Sequence, residues 1–181
     1  MTAKPETRSP FELLVSQAQR ASAGALAAQQ QAGNEWTGLL CRLGGDKVLM
    51  PMSMLKEIVP PAEVTPVPGT KSWLKGLANM HGSLVTVVDL QEFLLGEALA
   101  RTEKQARMLV VSEAGQKVGL LVNEVFGMRH FRVGDEVRET PAFNQMLKPY
   151  ITAALKRQDD HYSVFNLQRL LSSSVFQDAA L

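Results

Sequence analysis

Residues 55–90 read LKEIVPPAEVTPVPGTKSWLKGLANMHGSLVTVVDL. An apolar segment closes on Glu57-Ile58, prolines at positions 60, 61, 66 and 68 forbid a helix and interrupt any sheet ladder, and Asn79-Met80-His81-Gly82 supplies a turn. The run Leu84-Val85-Thr86-Val87-Val88-Asp89-Leu90 that follows is rich in β-branched residues and almost wholly apolar, which fits a strand buried on both faces. Asn79 and Gly82 serve the turn itself, asparagine by bonding to nearby backbone and glycine by accepting positive φ. The stretch holds strands, a turn and side chains suited to protein contact, and no reaction chemistry.

The same punctuation continues on both sides. Trp36 to Leu43 and Lys47 to Met52 read as a hairpin around Gly44-Gly45-Asp46, and Trp73 to Met80 with Ser83 to Asp89 as another around His81-Gly82. Together these two hairpins are expected to form one half-barrel. Leu90 to Ala100 is a short helix or turn, Met108 to Ser112 pairs with Lys117 to Val122 across residues 113–116, and Gly127 to Val133 extends that second set. Ser163 to Asn166 closes the pattern, with Asn166 capping a terminal helix that holds Leu167, Leu170, Leu171 and Val175. Many short strands with few helices predict a mainly β fold built from barrels.

Residues 1–35 differ. Ser9-Pro10-Phe11-Glu12 is a capping box with proline at the first helical position, and Phe11, Leu14, Val15, Ala18 and Leu26 recur near helical spacing. Beyond Arg20 the composition falls to Ala, Gln, Ser and Gly, which predicts a tether or frayed helix over 21–34. The expected organisation is a helical extension or tether at 1–35, a main domain of two lobes at 36–172 and a tail at 173–181.

Composition narrows the function classes. A chain of 181 residues can bury one substantial core or two small lobes sharing an interface. Nineteen basic and eighteen acidic side chains form no block of one sign, which argues against a nucleic-acid or membrane footprint. No apolar run approaches the roughly 20 residues that span a bilayer. The single cysteine, Cys41, and the absence of a secretory pattern at the N-terminus point to a soluble protein of a reducing cytoplasm.

The main catalytic signatures fail together: there is no Gly-rich phosphate loop, His-Glu-x-x-His, Cys-x-x-Cys or nucleophile elbow. His81, His130 and His161 are widely spaced, and Ser83, His81 and Asp89 are too close on one hairpin to converge as a triad. No catalytic residue, metal site or cofactor is expected.

The order of residues in 55–90, with Glu57-Ile58, Thr65-Pro66-Val67-Pro68, Trp73, Gly76, Asn79, Gly82 and Val87-Val88-Asp89-Leu90, resembles the CheW family of chemotaxis coupling proteins. The resemblance runs from about Trp36 to Ser172, with weaker echoes at Val118 to Val122 and Phe165-Asn166-Leu167. It implies two intertwined five-stranded barrels of the Src-homology-3-like kind, with an N-terminal helical extension and a short C-terminal helix added. It also implies a non-enzymatic adaptor joining a CheA-type histidine kinase to a methyl-accepting chemoreceptor at membrane-associated arrays. The N-terminal extension is similar to that of the PilI branch, which serves twitching motility through type IV pili.

On this resemblance the receptor surface comprises Leu55, Glu57, Ile58, Asn79, His81 and Gly82, and the kinase surface Leu109, Val111, Leu121 and Val122. His81 stands where the family usually carries the arginine of an Asn-x-Arg-Gly turn, and Thr86 replaces a common proline. In the family that arginine lies near the glutamate matching Glu57; a histidine makes such a pairing weaker and sensitive to pH near neutrality. Glu57 is expected to point outward while Leu55 packs in, Trp73 is expected in the core, and the bland reading of Glu57 and His81 is a solvated carboxylate and a solvated turn residue. Two other functions remain open from sequence: a β-barrel regulator or enzyme subunit with a ligand pocket at Glu57 and His81, or a decoy that separates receptor from kinase.

Overall fold

A computed structural model describes residues 35–100, 103–113, 115–132 and 134–179. The helix expected from Ser9 and the tether over 21–34 lie outside the described residues. The strands are β1 (Glu35–Leu43), β2 (Asp46–Pro51), β3 (Leu55–Val59), β4 (Leu74–Met80), β5 (Ser83–Asp89), β6 (Arg107–Glu113), β7 (Gln116–Val122), β8 (Glu124–Arg132), β9 (Glu136–Val137), β10 (Ile151–Arg157) and β11 (Asp160–Phe165). Among the described residues three short α-helices, α1 (Leu90–Leu95), α2 (Leu167–Leu171) and α3 (Ser174–Gln177), and two 3-10 turns, Met52–Met54 and Gln145–Tyr150, accompany them.

The strands form a six-stranded sheet of order β8-β1-β2-β11-β10-β9 and a five-stranded sheet of order β3-β6-β7-β5-β4. The chain leaves the first sheet after β2, builds the whole of the second, and returns with β8. The two hairpins around Gly44-Gly45 and His81-Gly82 therefore belong to different lobes and do not form the expected half-barrel. Nor does the Gly127 to Val133 region extend the β6–β7 pair: β8 pairs with β1 over Glu35 to Arg42. Alternation of apolar residues defines a strand but not its neighbour, and here the neighbour of β8 is 80 to 100 residues away in sequence. The expected closing strand at Ser163 to Asn166 is the end of β11, but its partners β10 and β9 were not read from the sequence, because Ala153-Ala154 dilute the β-branched signal of Ile151-Thr152 and β9 is only two residues long.

Three apolar clusters in series hold this arrangement. Trp36, Leu40, Leu49, Phe131, Leu155 and Val164 fill the six-stranded lobe, and Ala78, Val87, Met108 and Val110 fill the five-stranded one. Between them lies a larger cluster to which β1 and β2 give Leu39, Cys41, Leu43, Val48 and Met50, and the other lobe gives Val88, Leu109, Val111, Leu120 and Val122. Period-two alternation explains this directly: Leu39 and Cys41 face one cluster while Leu40 faces the other. Strands that are apolar on both faces are thus strands with a core on each side.

The β5 run is an exception, because Leu84 is 69% exposed while Val85, Val87 and Val88 are buried. Thr86, on a strand paired to both β4 and β7, keeps an N–H that proline would lack. In the terminal segment two helices replace the expected one, with Ser172 and Ser173 between them, and Phe176 rather than Val175 turns inward. Trp73 packs against the central cluster, edge-on to Phe93 and stacked on Phe176 at centroid distances of 5.0 and 5.8 Å.

Candidate functional site

The proline-rich connection between β3 and β4 shapes the site. Thr65 exchanges backbone hydrogen bonds with Leu77 at 2.8 and 2.9 Å, so the segment lies along β4 and delivers Ala62 and Val64 to the lobe's interior. This contact needs Gly76, whose φ is +138° and whose missing Cβ would sit 2.1 Å from the Thr65 carbonyl oxygen. β4 then meets β5 through a two-residue turn in which His81 and Gly82 both have positive φ, 50° and 77°. That is the backbone of a type I′ hairpin, whose twist matches the strands it joins. The Asn79 side chain accepts a hydrogen bond from the Gly82 N–H at 3.1 Å, as the turn reading requires.

Across the lobe, β3 carries Glu57. Period two alone would place Leu55 and Glu57 on one face, but a register shift between them, with Leu55 opposite Val111 and Glu57 opposite Val110, turns them to opposite faces. Leu55 packs on the central cluster as expected, and the bulge, not simple alternation, is the cause. The His81 Nε2 lies 3.6 Å from the Glu57 carboxylate, their side chains 78% and 40% exposed. Since β3 and β4 are opposite edges of the five-stranded sheet, the contact marks where the curled sheet brings its two edges together. It is an ion pair only with the imidazole protonated, and at this exposure contributes at most a fraction of about 1 kcal/mol.

Glu57, Asn79, His81 and Gly82 thus meet at one corner. Ile58, 39% exposed, sits opposite Leu109 on the other face of β3. Leu84, the cross-strand partner of Asn79, adds an exposed apolar side chain that the sequence reading had placed in the core. The His81 and Leu84 side chains at this corner are well exposed.

The four residues expected on the kinase surface fare differently. Leu109, Val111 and Val122 are fully buried in the central cluster and present no surface to a partner. Leu121 faces the other way and lines a groove of about 660 Å³ with Val64, Pro66 and Val87. The burial of the first three follows from the double-sided packing of β6 and β7.

One charged group was missed in sequence. Asp89, 1% exposed, caps α1 by accepting from the Glu92 N–H at 3.0 Å and from the Leu99 N–H at 2.7 Å, and Lys75 bridges it to Glu92. Burial pushes the Glu92 carboxyl up, but hydrogen bonds from Lys75 and Ser72 and the Lys75 charge hold it below the ordinary glutamate range. The signal was present in Asp89-Leu90-Gln91-Glu92, a capping-box spacing. The trio is a structural anchor for α1 beneath β4.

The family model described as CheW-like domain matches residues 37–175. The chain belongs to the CheW family. Protein PilI of Pseudomonas aeruginosa is 37% identical over 178 residues, covering 97% of this chain and 99% of the relative. Protein FrzA of Myxococcus xanthus is 29% identical over 111 residues, 61% of this chain and 68% of its own. The fold is also that of the scaffolding protein TtCheW from Thermoanaerobacter tengcongensis, with a TM-score of 0.65 at 20% identity over 77% of this chain and 94% of that one. As a CheW-like protein the chain is a non-enzymatic adaptor of chemotaxis-type signal transduction. Among the described residues no helix is long and apolar enough to cross a membrane.

Proposed function

We propose that this adaptor couples a methyl-accepting chemoreceptor to a CheA-type histidine kinase in the control of type IV pilus twitching, working in the cytoplasm at membrane-associated receptor arrays. The observation that carries the pilus assignment is the near full-length similarity to PilI, which extends through the N-terminal residues that the family model does not cover. The receptor docks on the Glu57, Asn79, His81 and Gly82 corner, with Ile58 and Leu84 as apolar anchors beside it; a few such anchors within a polar rim carry most of the affinity of a contact of this kind. The kinase docks on the same lobe through the groove that Leu121 lines. Coupling is then a matter of assembly, with individually weak contacts multiplied by the lattice.

The test is a pull-down of the full chain with the host's receptors and CheA-type kinases, comparing wild type, Glu57→Lys and Leu121→Glu. Glu57→Lys is expected to lose the receptor and keep the kinase, and Leu121→Glu the reverse. Failure of wild type to retain either partner overturns the proposal.

A further inference from the structure

The six-stranded lobe carries a groove that the coupling proposal does not use. β9 pairs with only Ala154 and Leu155 of β10 and then departs, so among the described residues Ile151 to Ala153 have no strand beside them on that edge. The gap is a groove of about 820 Å³. Its floor and walls include Val137, Phe143 and Ile151, all half-buried, and its rim includes Arg138 and Lys148. Neither cation forms an ion pair with a described residue. Within it the Thr152 hydroxyl is buried and has no hydrogen-bond partner among the described residues. A bulge at Thr152 breaks the β10 ladder, which disfavours the addition of a further strand and leaves a groove that suits a helix.

Residues 9–18, Ser-Pro-Phe-Glu-Leu-Leu-Val-Ser-Gln-Ala, bring the complementary chemistry: Phe11, Leu14, Val15 and Ala18 on one helical stripe, and Glu12 as the single charge. The point of entry is close. Glu35, the first described residue, pairs with Arg132, whose N–H donates to the Asp135 carboxylate; the Asp135 carbonyl in turn accepts from Lys156 of β10, and β9 begins at Glu136. Sixteen residues separate Ala18 from Glu35, a span of about 24 Å if helical and about 50 Å if extended. Tethering at that length gives an effective concentration on the order of millimolar, enough to fill a site of modest intrinsic affinity.

We infer that the N-terminal segment 9–18 of the same chain docks as a helix in the groove between β9, β10 and the 138–148 connection, with its apolar stripe on Val137, Phe143 and Ile151 and Glu12 at Arg138 and Lys148. The groove is thereby an intramolecular docking site on the lobe opposite the proposed partner surfaces.

Two experiments on the full chain test this. Amide hydrogen exchange at residues 151–154 is expected to quicken by at least about tenfold when Phe11→Glu and Leu14→Glu are introduced together, with the melting temperature of the domain unchanged. Exchange equal to wild type overturns the inference, as does protection that falls on dilution, which would assign the groove to a second copy. In parallel, Val15→Cys paired with Thr140→Cys is expected to give an intrachain disulfide under mild oxidation, whereas Val15→Cys with Gln105→Cys on the other lobe is not; equal yields overturn it. The native thiol does not interfere, because Cys41 is fully buried.

Discussion

Replacing Gly76 by alanine should unseat the proline-rich segment from β4. The new Cβ would lie 2.1 Å from the Thr65 carbonyl oxygen and 2.6 Å from its carbon, both main-chain atoms that no rotamer change can clear. Relief means moving residues 64–66 outward, which breaks the two hydrogen bonds between Thr65 and Leu77 at about 0.5 to 1.5 kcal/mol each and withdraws Val64 from the lobe's interior. The φ of +138° adds about 1 to 3 kcal/mol of backbone strain for a residue with a side chain. A loss of about 4 kcal/mol follows, which in a chain of this size lowers the melting temperature by on the order of 10 °C. Differential scanning calorimetry reads this against Gly45→Ala, whose Cβ meets nothing within 4 Å and which should change little. Hydrogen exchange at the Leu77 amide adds a local readout. A Gly76→Ala protein that melts within about 2 °C of wild type would refute the account, since no low-energy arrangement keeps both the Cβ and the Thr65–Leu77 bridge.

Four further outcomes follow from the same geometry. Phe176→Ala should cost about 3 kcal/mol, by emptying the stack on Trp73, whereas Val175→Ala, at a side chain 63% exposed, should stay within about 0.5 kcal/mol; urea midpoints separate the two. Asn123→Ala strands the Gly44 N–H and the Gln91 side-chain oxygen that it bonds between the lobes, and should lower stability by about 2 kcal/mol. Cys41, whose thiol is pushed up to about 12 by burial, should be unreactive to Ellman's reagent at mildly alkaline pH in the native protein and titrate fully in denaturant; native-state reaction at a free-thiol rate would contradict its burial. Glu92 has its folded pKa lowered, so its contribution is present above the unfolded value of about 4.3 and lost as pH falls through the folded value. Glu92→Gln should therefore be less stable than wild type at neutral pH, with the gap in urea midpoint closing on acidification, and a gap that persists in acid would place the effect elsewhere.

How far the fold was legible depends on the range of each interaction. Hairpins closed by local turns were readable, because His81-Gly82 and Gly44-Gly45 sit between runs that alternate or bury whole, and these boundaries held to within two residues for β1, β4, β5 and β7. Pairings between distant segments were not, and the assignment of β8 to its neighbour failed for that reason. The distinction between a surface and a core was legible only where charge marked it. Glu57 and His81 were marked by the resemblance to the CheW family, not by their chemistry alone, and the structure brings them into contact. Leu84 did not: an exposed leucine amid valines carries the same sequence signal as a buried one. Nor did the bulge at Lys56 leave a trace, although it alone decides which way Glu57 faces.

The buried positions of Leu109, Val111 and Val122 bear on mechanism as well as on bookkeeping of sites. These residues belong to a cluster that takes side chains from both sheets, from α1 and α2, and from Phe176 beyond them, so the two lobes share one continuous core. Polar contacts cross the same boundary, where Asn123 joins Gly44 of one lobe to Gln91 of the other and Arg42 reaches Glu103. Sliding one lobe past the other would break close-packed contacts along β1, β2, β6 and β7 at once, and such interfaces shift between discrete packings instead of deforming smoothly. A body of this kind transmits a signal poorly by bending within itself. It is better suited to hold two partners at a fixed spacing and orientation, so that a change in one partner alters the affinity or alignment of the other. Under the proposed coupling, substitutions in the central cluster should then weaken both partner contacts together through stability, while substitutions at the Glu57 corner or the Leu121 groove should separate them.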